Sequence, residues 1–419
     1  MKILWVKAGG LVPLDTGGKI RSYHLLRELA RTHEVTFFSF YAEHQDDHHP
    51  DLVKIFSRVV TCPLRLPEAK GAAEVLQYAR NLFSPWPYSI AKFCRPEVAR
   101  RLLAVCREER YDVIICDFLM AAGVIPWELA SPKVLFTHNV EALIWKRHYQ
   151  VARNPLWKAV AWREYRTMSR MERRYLSLAD HVLAVSEADR AVFAQQIPPE
   201  KITVIPTGVD VDYFRPSLDQ ADPNTLVFTG SMDWMPNEDA MLYFADEIWP
   251  LIRAQVPDVK CLVVGRRPTE RLREAAAKAG IEVTGAVEDI RPYVHRAAVY
   301  VVPLRVGSGT RLKIFEAMAM GKAVVSTSIG AEGLPVRHGE NILLADTAES
   351  FARDVMQLLR DPAMQDRLGC AARRLVEEHY SWSSVATELE SVLSSFRATS
   401  AGAPAGMGRT AANFQMRRE

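Results

Sequence analysis

The chain has 419 residues, 48% hydrophobic and 25% charged, a composition that excludes wholesale disorder and a length that allows two or three domains. Lys and Arg number 53 against 50 Asp and Glu, and the resulting net charge of +3 excludes a chain built throughout to coat nucleic acid. Six scattered cysteines without a CxxC pair signal neither a zinc site nor a disulfide framework, which fits a reducing cytosol.

From the N-terminus, Lys7 interrupts the first apolar run too early for a signal-peptide core, and no stretch is long and apolar enough to span a membrane. Short apolar runs then alternate with helical patterns, the mark of βαβ units around a mainly parallel sheet, so the class is α/β. Strands are expected at 3–6, 35–40, 113–116, 134–137, 182–185 and 202–205. A polar stretch at 217–224 reads as a linker. A second series follows at 226–229, 261–264, 281–284, 299–304, 323–326 and 342–344, which implies two doubly wound halves rather than one large sheet. The last regular segment, 382–396, carries Trp382, Val385, Leu389 and Val392 at near-helical spacing, and 398–419 reads as a disordered tail.

The first βα connection holds Gly9, Gly10, Gly17 and Gly18 ahead of an amphipathic helix through Ser22, Leu25, Leu26 and Leu29. Adjacent glycines at a helix entrance let backbone N–H groups approach an anion or a sugar, although this loop fits neither GxGxxG nor the P-loop pattern and also reads as a plain structural turn. The richest stretch runs from Val299 to Thr327: strand, the loop Gly307-Ser308-Gly309, a helix from about Thr310 to Met320, a Gly321 cap and another strand. Thr310 would cap that helix, Arg305, Arg311 and Lys313 bring positive charge to its start, and a pyrophosphate would be well received there. Glu316 then lies among Ile314, Phe315, Ala317 and Met318, where a carboxylate needs a partner such as a ribose, unless it lies on an exposed stripe.

These residues resemble the family-4 glycosyltransferases of the GT-B fold. The likeness is carried in order by Gly17-Gly18, Thr137-His138-Asn139, Val185-Ser186-Glu187, the run from Ile205 to Asp210, Thr229-Gly230, Thr284-Gly285-Ala286-Val287, the block from Arg305 to Met320, and Glu340-Asn341. It implies two Rossmann-like doubly wound domains facing an inter-domain cleft: 1–208 on the acceptor side, joined by a crossing helix at 381–397, and 209–380 binding the nucleotide sugar. The implied activity is a retaining, metal-independent, hexosyltransferase-like transfer from a UDP- or GDP-sugar to a glycan or lipid-linked glycan, without a cofactor. His138 would contact the donor sugar, with Arg305 and Lys313 stabilising the leaving pyrophosphate. Gly17, Gly18, Gly230, Val287, Gly307, Ser308, Gly309, Thr310, Arg311 and Glu316 would bind substrate.

Two departures matter. The family's paired glutamates stand eight positions apart, and Ser308 occupies the place of the first. The usual phosphate-clamping Arg and Lys are missing from Gly230-Ser231-Met232-Asp233-Trp234-Met235-Pro236-Asn237, a form that resembles a bacterial subgroup associated with exopolysaccharide assembly. A nucleotide-sugar epimerase of the same fold and a non-catalytic nucleotide-sugar-binding scaffold are the competing readings.

Asp210-Val211-Asp212 spells DxD, but its place after Pro206-Thr207-Gly208 favours a turn in a hinge over a metal site. The His- and Asp-rich run at 43–51 is only compositional evidence for a metal. Between Lys146 and Arg174, nine Lys or Arg face two Glu, with Trp and Tyr interleaved. Such a basic aromatic helix is expected to lie on the anionic inner face of the cytoplasmic membrane or to be a solvated face with its aromatics packed inward; no RNA-binding motif accompanies it.

Overall fold

The computed structural model describes residues 1–14, 16–43, 49–67, 71–152, 154–217, 221–306 and 312–401. The chain divides into two compact units, Met1–Pro206 with Ala386–Glu419, and Thr207–Val385.

The first unit runs β1 (Lys2–Ala8), α1 (Gly17–Leu29), β2 (Glu34–Ala42), α2 (His49–Val53), β3 (Arg58–Leu64), α3 (Ala72–Asn81), α4 (Tyr88–Ala91) and α5 (Pro96–Glu108). It continues with β4 (Val113–Asp117), β5 (Lys133–Phe136), α6 (Glu141–Val151), α7 (Pro155–Leu178), β6 (His181–Ala184), α8 (Glu187–Phe193) and β7 (Ile202–Val204). The strands form one parallel sheet in the order β3-β2-β1-β4-β5-β6-β7. Helices cover both faces of such a sheet, so its strands read as continuous apolar runs. Trp5 lies in register with Phe37 on one side and Ile115 on the other, and all three are fully buried.

The second unit contains β8 (Asp222–Thr229), α9 (Met235–Tyr243), α10 (Trp249–Gln255), β9 (Lys260–Val264), α11 (Glu270–Ala279), β10 (Glu282–Gly285), α12 (Arg291–Arg296) and β11 (Ala297–Val302). After these come α13 (Leu312–Ala319), β12 (Ala323–Ser326), β13 (Leu343–Leu344), α14 (Ala348–Arg360) and α15 (Pro362–His379). The sheet order is β10-β9-β8-β11-β12-β13, again parallel. The final helix, α16 (Trp382–Ala401), begins in the second unit and continues in the first.

Sequence reading and structure differ at several places. β3 was not expected, because its run Arg58-Val-Val-Thr-Cys-Pro-Leu is short and contains Pro63. A proline lacks the ladder N–H, yet β3 is an edge strand, where that loss is tolerated. β8 starts at Asp222, inside the stretch read as linker, and the strand expected at 299–304 is shifted to Ala297–Val302. The expected helix over 310–320 is described from Leu312 to Ala319, while the last helix runs beyond Phe396 to Ala401. Residues 402–419, most of the expected tail, lie outside the described residues, as do 44–48 of the His-rich run. No described helix is long and apolar enough to cross a membrane.

Candidate functional site

Open parallel sheets bind ligands beyond the carboxyl ends of the strands where strand order reverses. In the second unit this point lies between β8 and β11. The chain leaves β8 into Gly230, and a Cβ there would stand 2.7 Å from Asn237 Nδ2 and 2.8 Å from Lys313 Nζ. Only a glycine leaves those two groups where they are. Behind it, Gly265 takes φ +150°, and a Cβ on it would fall 1.7 Å from the Gly230 carbonyl oxygen, so the loops after β8 and β9 touch through bare backbone. Gly230 N–H donates to Val264 and Met232 N–H to Arg266, locking the two loops together.

The buried Asn237 organises this floor. Its Nδ2 donates to the Ser231 carbonyl at 2.8 Å, and its Oδ1 accepts from Lys313 Nζ at 2.8 Å. Lys313 also sits 4.0 Å from the centre of the Phe228 ring, which holds its positive charge beneath Gly230. One turn further along α13, burial pushes the Glu316 carboxyl up to about 7, with the Lys313 ammonium pulling the other way. Among the described residues no side chain hydrogen-bonds that carboxylate. A carboxyl desolvated in this way is poised to accept hydroxyl donors.

Arg305 has a different setting. Its Nη2 and Nε reach Asp239 at 2.9 and 3.2 Å, Glu247 lies at 3.7 Å, and the guanidinium covers the Tyr243 ring at 4.3 Å. Two carboxylates therefore already oppose its charge. Val287 packs half-buried against the core of this unit. Gly307, Ser308, Gly309, Thr310 and Arg311 lie outside the described residues. The sequence reading missed Arg266 and Arg267, which follow Gly265: Arg266 Nε donates to Ser231 Oγ at 3.0 Å, and Arg267 pairs with Asp233 at 3.1 Å.

In the first unit strand order reverses between β1 and β4. Beyond it lies a buried charged network drawn from four separate stretches of chain. Asp117, at the end of β4, accepts from Trp5 Nε1 at 2.8 Å, from Lys7 Nζ at 3.0 Å and from His138 Nε2 at 2.6 Å. The other imidazole nitrogen, Nδ1, lies 2.9 Å from Arg21 Nη1. A guanidinium only donates, so Nδ1 carries the lone pair and Nε2 the proton. The ring is thus neutral with both nitrogens engaged, in keeping with burial lowering His138 to about 4 despite Asp117 beside it. Burial would raise the Asp117 carboxyl, but Lys7 and His138 more than offset it and hold it well below the carboxylate range. Burial also lowers Arg21 to about 10, opposed by Asp117 and Asp189.

Phe118 stacks on His138 with centroids 4.9 Å apart and takes φ +78°, a strained backbone for a side chain with a Cβ. A Cβ on Gly18 would meet His138 Nδ1 at 3.7 Å and the Phe118 ring at 3.8 Å, so the start of α1 rests directly on this stack; Gly17 beside it opens to solvent. On the far side Glu172 accepts from the Glu141 N–H at 2.8 Å, capping α6, and burial pushes both carboxyls up to about 7. Arg21, Lys7, Asp117 and Phe118 were missed as site residues. The available signal was a charge closing an apolar strand run, at Lys7 and again at Asp117.

Among the described residues no group of three His, Cys, Asp or Glu could hold a metal ion. The DxD stretch forms a turn, in which Asp210 Oδ1 accepts the Tyr213 N–H at 2.9 Å.

Chains built from two such units are known among solved structures. A sucrose-phosphate synthase from Thermosynechococcus elongatus superposes with a TM-score of 0.67 at 20% identity, covering 95% of this chain and 99% of that one. HepE of Anabaena, in complex with UDP, gives 0.63 at 16% identity over 94% and 100%. In sequence, an uncharacterized 44.6 kDa protein in the cps region of Klebsiella pneumoniae is 22% identical over 90% of this chain and 96% of its own length. A phosphatidyl-myo-inositol mannosyltransferase of Mycolicibacterium smegmatis is 33% identical, but the match spans 44% of this chain and only half of that relative. Residues 16–213 match the Glycosyltransferase Family 4 model and residues 223–361 the Glycosyl transferases group 1 model. With both units matched in this order on two parallel Rossmann-like sheets, the chain belongs to the family-4 glycosyltransferases of the GT-B fold.

Proposed function

We propose that the protein transfers a sugar from a UDP- or GDP-sugar to a glycan or lipid-linked glycan, with retention at the anomeric carbon and without a divalent metal. One observation carries this reading: at the strand-order reversal of the second unit, Glu316 offers a desolvated carboxyl one turn beyond the Lys313 ammonium. The carboxylate receives the ribose hydroxyls, and Lys313, Arg305 and Arg311 neutralise the departing diphosphate in place of a metal. For Arg305 this requires releasing Asp239, so its contribution arises as the donor binds. The donor base follows HepE, crystallised with UDP, in favouring a UDP-sugar.

His138 serves as a fixed, neutral wall against the donor sugar rather than as a proton carrier, since both ring nitrogens are engaged inside the unit. Gly17 and Gly18 bring backbone close to the acceptor. A place in bacterial exopolysaccharide or other cell-surface polysaccharide synthesis is supported by the Klebsiella relative from a cps region. The protein then acts in the cytoplasm at the inner face of the membrane, where the basic α7 meets anionic lipid.

Calorimetric titration with UDP and UDP-sugars, followed by transfer assays on lipid-linked glycans, tests the reading. Donor binding and anomer-retaining product support it; failure to bind any nucleotide sugar overturns it.

A further inference from the structure

Helix α3 is built inside out. Its apolar residues Ala72, Val75, Leu76 and Ala79 recur at helical spacing on one face, continued by Phe83 just past its end, and every one of them is exposed. Phe83 is 97% exposed, Val75 65% and Leu76 54%. The polar face turns inward instead: Tyr78 donates to Glu164 at 3.2 Å, Gln77 accepts from Tyr88 at 3.2 Å, and Asn81 donates to the Trp86 carbonyl at 3.0 Å. An ordinary surface helix buries its apolar stripe, so hydrogen bonds here hold the stripe toward solvent.

The surroundings of that stripe are cationic. Arg163 of α7 donates to the carbonyls of Asn81, Leu82 and Ser84, which pins the end of α3 beside Trp162, itself exposed. Arg166 covers the Trp162 ring at 5.4 Å, and Arg170, Arg173 and Arg174 continue the exposed face. The two acids of α7 are turned away: Glu164, fully buried, pairs with Arg163 and accepts from Tyr78 and from the Tyr88 N–H, and Glu172 caps α6, so the positive charge of the face comes from Arg166 onward. An exposed apolar ridge bordered by arginines and free of α7 carboxylates complements acyl chains beneath anionic headgroups. A second copy set against it would bring two cationic faces together, which argues against self-association.

We propose that α3 and Phe83 insert into the interfacial layer of an anionic bilayer while the arginine face of α7 holds the headgroups beside them. This rests on reading α7 as lipid-facing and adds an inserting element to it. Co-sedimentation with phosphatidylglycerol-containing vesicles, against phosphatidylcholine alone, tests it alongside UDP binding by calorimetry and melting temperature. Phe83→Asp and Leu76→Asp should each weaken vesicle partition roughly tenfold, given the free energy of burying one large apolar side chain, with folding and UDP affinity unchanged. Phe83→Trp should bind as the parent does, with emission quenched by brominated acyl chains beyond the parent's own quenching.

Partition lost on replacing Arg166 and Arg170 with Ser but untouched by Phe83→Asp would overturn insertion and leave a purely electrostatic contact. Absence of binding to anionic vesicles would overturn both, without bearing on the transferase reading, which UDP binding reports separately. A concentration-dependent dimer abolished by Phe83→Asp would identify the occupant as a second copy and overturn the proposal.

Discussion

Glu316 and Asp117 are both desolvated carboxyls, but their surroundings give them opposite behaviour. Glu316 has no side-chain hydrogen bond among the described residues and is protonated below about pH 7. If Glu316 receives the ribose as proposed, the hydroxyls donate to its ionised form, and affinity for a UDP-sugar, whose diphosphate does not titrate near neutrality, should rise as pH increases through 7. Glu316→Gln should flatten that profile, and Glu316→Ala should weaken binding by about 1.5–3 kcal/mol, the range for a lost hydrogen bond to a charged group; calorimetry at several pH values checks both. Asp117 instead holds two buried cations and the imidazole together. Asp117→Ala leaves the buried Lys7 without its ion-pair partner and Arg21 with Asp189 alone, and should cost on the order of 3–5 kcal/mol in urea unfolding. Glu141 gives a third case. Its carboxyl is raised from 4.5 to about 7, so its contribution to stability is complete below pH 4.5 and lost as pH rises through 7. Glu141→Gln should therefore raise the melting temperature more at pH 8 than at pH 5.

At the scale of elements, α16 is held by what it buries. Trp382, Val385, Ala386, Leu389 and Leu393 are all buried, and a Cβ on Gly208 would lie 2.6 Å from the Trp382 ring. Each large apolar side chain withdrawn from water contributes roughly 1.5–3 kcal/mol. A chain ending at Ala401 should melt as the full chain does, whereas one ending at Ser381 should melt well below it; equal melting temperatures would remove α16 from the stabilising core. The edge strand β3 and the inverted helix α3 illustrate why elements escape a sequence reading. Pro63 hides a strand that needs no ladder N–H at the edge, and periodicity gives the stripe of a helix but not the side on which it faces the protein.

For the whole molecule, two sheets with separate cores make two compact units. If the second unit holds the donor as proposed, a nucleotide at about 100 times its Kd should stabilise the native state by about 2.7 kcal/mol. A scanning calorimeter would register this as an upward shift of the unfolding transition. If cationic side chains neutralise the diphosphate as proposed, EDTA should leave both that shift and transfer nearly unchanged; loss with EDTA and recovery with magnesium or manganese would establish a metal requirement.

The sequence by itself determined the alternation of strand and helix, the two doubly wound halves and the candidacy of Gly230, Lys313 and Glu316, which the fold brings close together. These follow from local signals: continuous apolar runs, glycines where backbones touch, and a charged residue just after a strand. Tertiary structure alone decided what those charges do. Lys7, Arg21, Asp117 and His138 come from β1, α1, β4 and the end of β5, with 110 positions between Lys7 and Asp117, and no spacing rule connects them. The same holds for Arg305, whose charge points to phosphate in the sequence but lies against Asp239 and Glu247 in the fold, so that any diphosphate has to compete with both carboxylates for it. Charge is a property of a residue, but its protonation and availability depend on burial and on partners that only the folded chain brings within 3 to 4 Å.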